Sequence, residues 1–251
     1  MNILALIPAR MASSRFPGKP MALILGKPMI GHVYECVVKS PLLAMTAVAT
    51  CDQEIFDYIG SIGGIAVMTA DTHERASDRC AEALLSLEKA NNMRYDIVVM
   101  VQGDEPMTHP DMITEAVKPM LEDPLIQVVN LLGEIKDVTE FEDRNCIKVV
   151  CDLESNAIYF SREPIPTRSK TDEILMKKQV CIIPFRRDYL LEYTRLEPTP
   201  LEIIESIDML RVIENGMKVK MVPTKFITQS VDTVDDLIRV EGIMLNLEVE
   251  K

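Results

Sequence analysis

The chain has no tryptophan and only three histidines, and Phe with Tyr supplies an aromatic content of just 5%. His32, His73 and His109 lie far apart, so a zinc centre built from Cys and His has no support in their spacing. The six cysteines, Cys36, Cys51, Cys80, Cys146, Cys151 and Cys181, form no CxxC pair and are too sparse for a disulfide-stapled scaffold. They read as structural thiols in a reducing cytoplasm. None of the ten glycines falls into GxGxxG, and Gly18-Lys19 runs into Pro20 without the upstream glycine of a Walker loop. Nicotinamide chemistry and P-loop hydrolysis both lose support. No apolar run approaches the roughly twenty residues of a membrane helix, and the opening Met1 to Ile7 meets Pro8 at once, as neither a signal peptide nor a span would. Positive charge is also scarce. With 27 Lys plus Arg against 39 Asp plus Glu, the net charge is −12, which makes nucleic acid and membrane poor partners.

What remains is 47% hydrophobic and 26% charged over 251 residues, a composition that excludes disorder as the main state. Short apolar runs at 2–7, 46–49, 65–68, 97–101 and 128–132 alternate with amphipathic segments at 30–39, 53–62, 77–90 and 110–121. That alternation predicts an α/β fold with a doubly wound, mainly parallel sheet. After Asn145 the rhythm changes. Segments 147–151 and 157–160 bracket a polar turn at 152–156 and read as a hairpin. The stretch 162–178, carrying Pro164 and Pro166, is the least regular and suits a linker, a lid or a subunit contact. A strand is expected at 180–184, helices at 187–195 and 201–215, a strand at 219–222 and a closing helix at 233–247. Without repeats or low-complexity segments, residues 1–251 read as a single domain with an irregular excursion at about 152–178.

Chemistry concentrates first in Ile7-Pro8-Ala9-Arg10-Met11-Ala12-Ser13-Ser14-Arg15-Phe16-Pro17-Gly18-Lys19-Pro20. Arg10, Arg15 and Lys19 form a cationic cluster directly after the first strand, where open α/β sheets bind ligands, and with two serines they suit a polyphosphate. A basic surface loop is the plainer explanation. The apolar run ending in Gln102-Gly103-Asp104-Glu105-Pro106 sets Asp104 at a strand's carboxyl end on the same side of the sheet, a position from which it could hold Mg²⁺ on a nucleoside triphosphate. Gln102 could reach nucleotide or acceptor, or merely cap the strand. Asp232, with Asp235 three residues on, reads as a helix N-cap unless a partner carboxylate joins it. Arg162 and Arg186 could each grip an acceptor carboxylate or serve a surface ion pair. Glu202 and Glu205 could select acceptor hydroxyls or lie on an exposed helical face.

The first loop, Gln102 to Pro106, Ile158-Tyr159-Phe160-Ser161-Arg162, Pro200-Leu201-Glu202-Ile203-Ile204-Glu205, Leu210-Arg211 and Val231-Asp232-Thr233 together resemble the 3-deoxy-manno-octulosonate (KDO) cytidylyltransferases. The matches run in order from residue 3 to about residue 240. The resemblance implies a Rossmann-like, three-layer nucleotidyltransferase fold with a mixed, mainly parallel sheet and a dimerisation excursion. It further implies a homodimer that uses CTP and Mg²⁺ to convert a small acidic sugar into its CMP derivative and pyrophosphate. By the same resemblance Ala9, Arg10, Ser13, Arg15 and Lys19 belong to the triphosphate loop and Asp104 and Asp232 hold the metal. Ser77 and Arg79 fall in a segment contributing to cytidine binding, although Arg75-Ala76-Ser77 replaces the usual Ser-Gly-Thr. Larger departures fall where the acceptor binds. Gln179-Val180-Cys181-Ile182-Ile183 stands for His-Leu-Gly-Ile-Tyr, and Met209 replaces the Gln of Glu-Gln-Leu-Arg. A lost hydroxyl partner costs roughly 1–3 kcal/mol, so the expectation is an acceptor site that uses KDO weakly or prefers another acid, such as an amino-substituted octulosonate, a nonulosonate or a smaller metabolite. A nucleotide-binding protein without transfer activity is the alternative outside enzymology.

Overall fold

Residues 3–9 are buried at every position, the signature of a central parallel strand covered on both faces. In the computed structural model, which describes residues 1–12, 15–167 and 176–249, they form β1 (Ile3–Ala9). A short hairpin follows, β2 (Leu23–Ile24) with β3 (Lys27–Pro28), and then α1 (Met29–Val37), β4 (Met45–Thr50), α2 (Gln53–Ser61), β5 (Ala66–Met68), α3 (Ala76–Asn91), β6 (Ile97–Val101) and α4 (Pro110–Glu122). β1 pairs in parallel with β4 on one side and β6 on the other, and β4 pairs in parallel with β5. The order β6-β1-β4-β5 therefore changes direction at β1, leaving a crevice beyond the carboxyl ends of β1 and β6. Four of the five strands expected in the parallel sheet and its four helices are present with small shifts at their ends, whereas the fifth run, 128–132, supplies a strand of a separate mixed sheet.

The chain divides into two compact units, one comprising residues 1–114 with those from 227 onward, the other residues 115–226. In the second, β7 (Val129–Glu134), α5 (Val138–Glu142), β8 (Lys148–Cys151), β9 (Ala157–Ser161), β10 (Lys177–Val180), β11 (Ile182–Arg186), α6 (Arg187–Tyr193), α7 (Pro200–Glu205), α8 (Met209–Glu214) and β12 (Lys220–Pro223) follow in turn. A mixed sheet has the order β12-β7-β10-β8-β9. The hairpin read around residues 152–156 is β8 with β9, antiparallel, with a register shift at Val150/Cys151. The single strand expected at 180–184 is two strands, because the polar run Lys177-Lys178-Gln179 conceals a strand that pairs with β7 and β8. The helix expected over 201–215 is α7 and α8, since Ser206 takes a left-handed conformation at φ 54° and ends the first. The five-residue α5, too short to show a period, starts at Asp137, whose side chain accepts from the Glu140 N–H at 2.8 Å. Part of the irregular excursion, residues 168–175, lies outside the described residues.

The closing helix α9 (Val234–Val249) returns to the first unit. It packs through Val240, with Leu237 and Met244, onto a cluster of Ile24, Met29 and Val231 that Phe16 also joins. Among the described residues no helix is long and apolar enough to cross a membrane.

Candidate active site

The loop after β1 folds back on itself. Gly18 sits at φ 74°, which a side chain would oppose, and its N–H donates to the Met11 carbonyl at 3.0 Å. Met11 N–H in turn donates to Asp52 Oδ2 at 2.8 Å. Lys19 then opens a single 3₁₀ turn (Lys19–Met21) in which Pro20 is buried. This doubling-back brings Lys19 Nζ to 2.6 Å from Asp104 Oδ2 and 3.2 Å from Asp232 Oδ1, while Arg15 Nη2 reaches the same Asp232 oxygen at 2.8 Å. Burial opposes the charge on Lys19, but the two carboxylates outweigh it and hold the ammonium pKa above its usual value. Four residues singled out from the sequence, Arg15, Lys19, Asp104 and Asp232, thus converge.

Both carboxylates are fixed from behind. Gly103, between β6 and Asp104, lies so close to the end of β1 that a Cβ there would stand 3.0 Å from the Pro8 carbonyl oxygen and 3.2 Å from Ile30 Cδ1. Only glycine admits that approach without a shift. Val231, fully buried, donates its N–H to the Asp104 carbonyl at 3.0 Å, tying the two acidic segments together. The plainer of the two readings of Asp232, an N-cap of the closing helix, is not what the chain adopts. Thr233 takes that place, with Asp236 Oδ2 accepting from Thr233 N–H (2.9 Å) and Thr233 Oγ1 (2.8 Å), and Asp236 N–H donating back to Thr233 Oγ1 at 3.2 Å. This is a reciprocal capping box set one residue later than expected, and the Asp232 carboxylate points to the cations instead.

Ala9 is the buried last residue of β1, and Ser13 lies outside the described residues. Arg10 is exposed, with Nη1 donating to the His73 carbonyl at 3.5 Å. Ser77, in the first turn of α3, is fully buried, and its Oγ has no hydrogen-bond partner among the described residues. Arg79, from the same segment, is turned inward. It is buried and donates to Thr69 Oγ1 and to the Ala70 and His73 carbonyls, because the sequence returns that loop over it. Arg79 and Arg10 therefore brace one loop together. His73 Nε2 contacts Glu82, which also accepts from the Ala70 N–H. Burial raises the Glu82 pKa, but those two partners together bring it below the usual range. Gln102 is half-buried at the end of β6.

The proposed acceptor residues belong, apart from Gln102, to the second unit. Arg162 is anchored, with Nε on the Glu205 carbonyl (2.7 Å), Nη1 on that of Arg144 (3.0 Å) and Nη2 on that of Ser206 (3.3 Å). Glu205 gathers Ser161 Oγ, Tyr159 OH and the Arg162 N–H. Arg186 donates to the carbonyls of Met120, Asp123 and Ile126. Gln179 Nε2 donates to Asn130 Oδ1 at 2.6 Å. Glu202 differs from both readings made of it. It is completely buried and holds Arg211 through two bonds of 2.7 Å, so it neither selects hydroxyls nor lies on an exposed face. Met209 is likewise fully buried, a core residue and not an acceptor contact.

Among the described residues no three Asp, Glu, His or Cys side chains gather into a metal cage. Two carboxylates beside a cationic loop nevertheless fit Mg²⁺, which takes one or two protein carboxylates and completes its shell with substrate phosphates and water.

A family model described as cytidylyltransferase matches residues 4–219. The 3-deoxy-manno-octulosonate cytidylyltransferase of Geobacter metallireducens is 43% identical over 251 residues, with 96% of each chain covered. The chain belongs to this cytidylyltransferase family. The same enzyme of Syntrophus aciditrophicus is 43% identical over 245 residues, covering 97% of this chain and 98% of its own. A solved CMP:2-keto-3-deoxy-manno-octonic acid synthetase complexed with CTP matches with a TM-score of 0.87 at 34% identity, over 98% of this chain and 99% of that one. The Rossmann-like nucleotidyltransferase fold expected from the resemblance is therefore present.

Sequence reasoning missed several residues that shape this cytidylyltransferase. The Thr233-x-x-Asp236 spacing was a readable capping signal, overshadowed by Asp232 and Asp235. Gly103 could be known only once β1 and β6 were neighbours. Lys148 gave no signal at all. It is fully buried, its Nζ donating to the carbonyls of Asp143 (2.8 Å), Cys146 (2.6 Å) and Arg162 (2.6 Å), and burial lowers its pKa.

Proposed function

We propose that the protein transfers CMP from CTP to KDO, releases pyrophosphate and requires Mg²⁺. The observation that carries this reading is the convergence of Asp104 and Asp232 on Lys19, with Arg15 alongside, beyond the carboxyl ends of β1 and β6. On CTP binding, Lys19, Arg15 and Arg10 turn to the triphosphate and offset the charge that grows on the departing pyrophosphate. Asp104 and Asp232 would hold Mg²⁺ on the bound nucleotide. When bound, the metal polarises the α-phosphate and lowers the pKa of the acceptor hydroxyl. The acceptor oxygen forms its bond to the α-phosphorus as the bond to pyrophosphate breaks in line, so no covalent enzyme intermediate is required. Ser77 Oγ and the loop braced by Arg79 serve the cytidine.

The names of the relatives support KDO as acceptor. The expected weak use of KDO depends on Gln179, Cys181, Ile183 and Met209. Met209 and Ile183 are buried and Gln179 is already paired with Asn130, so three of these changes alter packing more than a polar lining. Steady-state kinetics with KDO, an amino-substituted octulosonate and a nonulosonate should give KDO the highest kcat/KM. A different acid as clear favourite would restore the divergent-acceptor reading. CTP should outperform ATP and GTP at equal concentration, and comparable use of a purine triphosphate would reject the cytidine assignment. The family resemblance also supports a homodimer, to be checked by sedimentation equilibrium.

A further inference from the structure

Resting on the assignment of Asp232 as a metal carboxylate, we infer that Asp236 is a positioning residue for the metal site, fixing the Asp232 carboxylate through the backbone. Asp232 sits on a short segment leading into α9, where a free backbone would let its side chain swing away from Asp104. Two contacts prevent this. On one side of Asp232, Val231 is fully buried and its N–H is bonded to the Asp104 carbonyl at 3.0 Å. On the other, Asp236 Oδ2 accepts the N–H groups of both Asp232 (3.1 Å) and Thr233 (2.9 Å), and Thr233 Oγ1 donates to the same oxygen at 2.8 Å. An ordinary capping box would leave the residue before the cap unheld. Here the carboxylate reaches that residue too, and it is the one carrying the functional side chain. Asp236 is 6% exposed and its other oxygen lies 3.7 Å from Arg239 Nη1, so it is itself held in place. It acts through Asp232, as a partner behind a metal ligand does.

The test is binding of Mn²⁺, as a spectroscopic stand-in for Mg²⁺, to the CTP-loaded protein, followed by the paramagnetic resonance of free Mn²⁺. Asp236→Ala should weaken Mn²⁺ binding by roughly 10- to 100-fold, the usual cost of losing such a partner, with CTP binding in the absence of metal unchanged. Its kcat should recover as Mg²⁺ is raised. Asp236→Asn keeps an acceptor oxygen for the N–H groups and should bind Mn²⁺ nearly as wild type. Wild-type Mn²⁺ affinity in Asp236→Ala, in a background where Asp232→Asn abolishes binding, would overturn the inference while leaving the metal reading intact. Equal losses in Asp236→Asn and Asp236→Ala would also overturn it, because the negative charge and not the backbone clamp would then matter. If Asp232→Asn itself retains Mn²⁺ binding, the metal reading fails and the inference with it. Should Asp236→Ala not fold, Thr233→Val removes one of the three bonds to the carboxylate and should give a smaller loss in the same direction, and no loss would count against the proposal.

Discussion

Among single residues, the chemistry turns on two carboxylates that Lys19 bridges at 2.6 and 3.2 Å. Changing either Asp104 or Asp232 to Asn keeps the shape and removes the charge, so turnover should fall by orders of magnitude while the folded state persists. Circular dichroism alongside initial-rate measurements separates the two effects, and near-normal turnover in a folded Asp104→Asn protein would remove that residue from the metal site. Gly103→Ala probes the support behind Asp104. Its Cβ would press on the Pro8 carbonyl, and the expected outcome is a loss of about 1–3 kcal/mol of stability together with a raised Mg²⁺ requirement. A denaturation midpoint and Mg²⁺ dependence equal to wild type would show that the strand ends are looser than described. The cationic loop and Asp104 were legible in the sequence because residue type and strand-end position coincide there. Arg79, Glu202 and Met209 were not, because a charged or polarisable side chain in a sequence gives no indication of which way it faces. All three are buried.

At the scale of elements, the break between α7 and α8 shows how tertiary contacts override a continuous helical pattern. Ser206 adopts φ 54°, and Glu202 on α7 pairs with Arg211 on α8 across the break, with the Arg211 guanidinium 4.9 Å from the Tyr193 ring centroid. The bond to Glu202 drives the Arg211 pKa further above its already high value, so the buried guanidinium keeps its charge throughout the physiological range. Removing one partner would leave the other charge buried and unpaired. Glu202→Ala should therefore destabilise the protein by about 3–5 kcal/mol in urea unfolding, far more than a surface pair would. A midpoint unchanged from wild type would contradict the pairing. The apolar runs gave the strands of the first unit almost to the residue, because parallel strands are buried on both faces. β10 escaped because Lys177, Lys178 and Gln179 carry its pairing without an apolar signal.

At the scale of the whole molecule, an acidic chain of net charge −12 gathers Arg15 and Lys19 onto two carboxylates, with Arg10 in the same loop. Against that general field, these cations offer an anion a local attraction at the end of one sheet. Motifs spread over nearly the full length identified the family, whereas the division into two units and the inward packing of Glu202 and Met209 became visible only in three dimensions. The most direct measurement is ³¹P NMR of the purified protein incubated with CTP, KDO and Mg²⁺. The account predicts a CMP-KDO phosphodiester resonance growing together with pyrophosphate, dependent on all three components and lost in Asp104→Asn. Absence of product from the folded wild-type protein under these conditions, or undiminished product from Asp104→Asn, would contradict it.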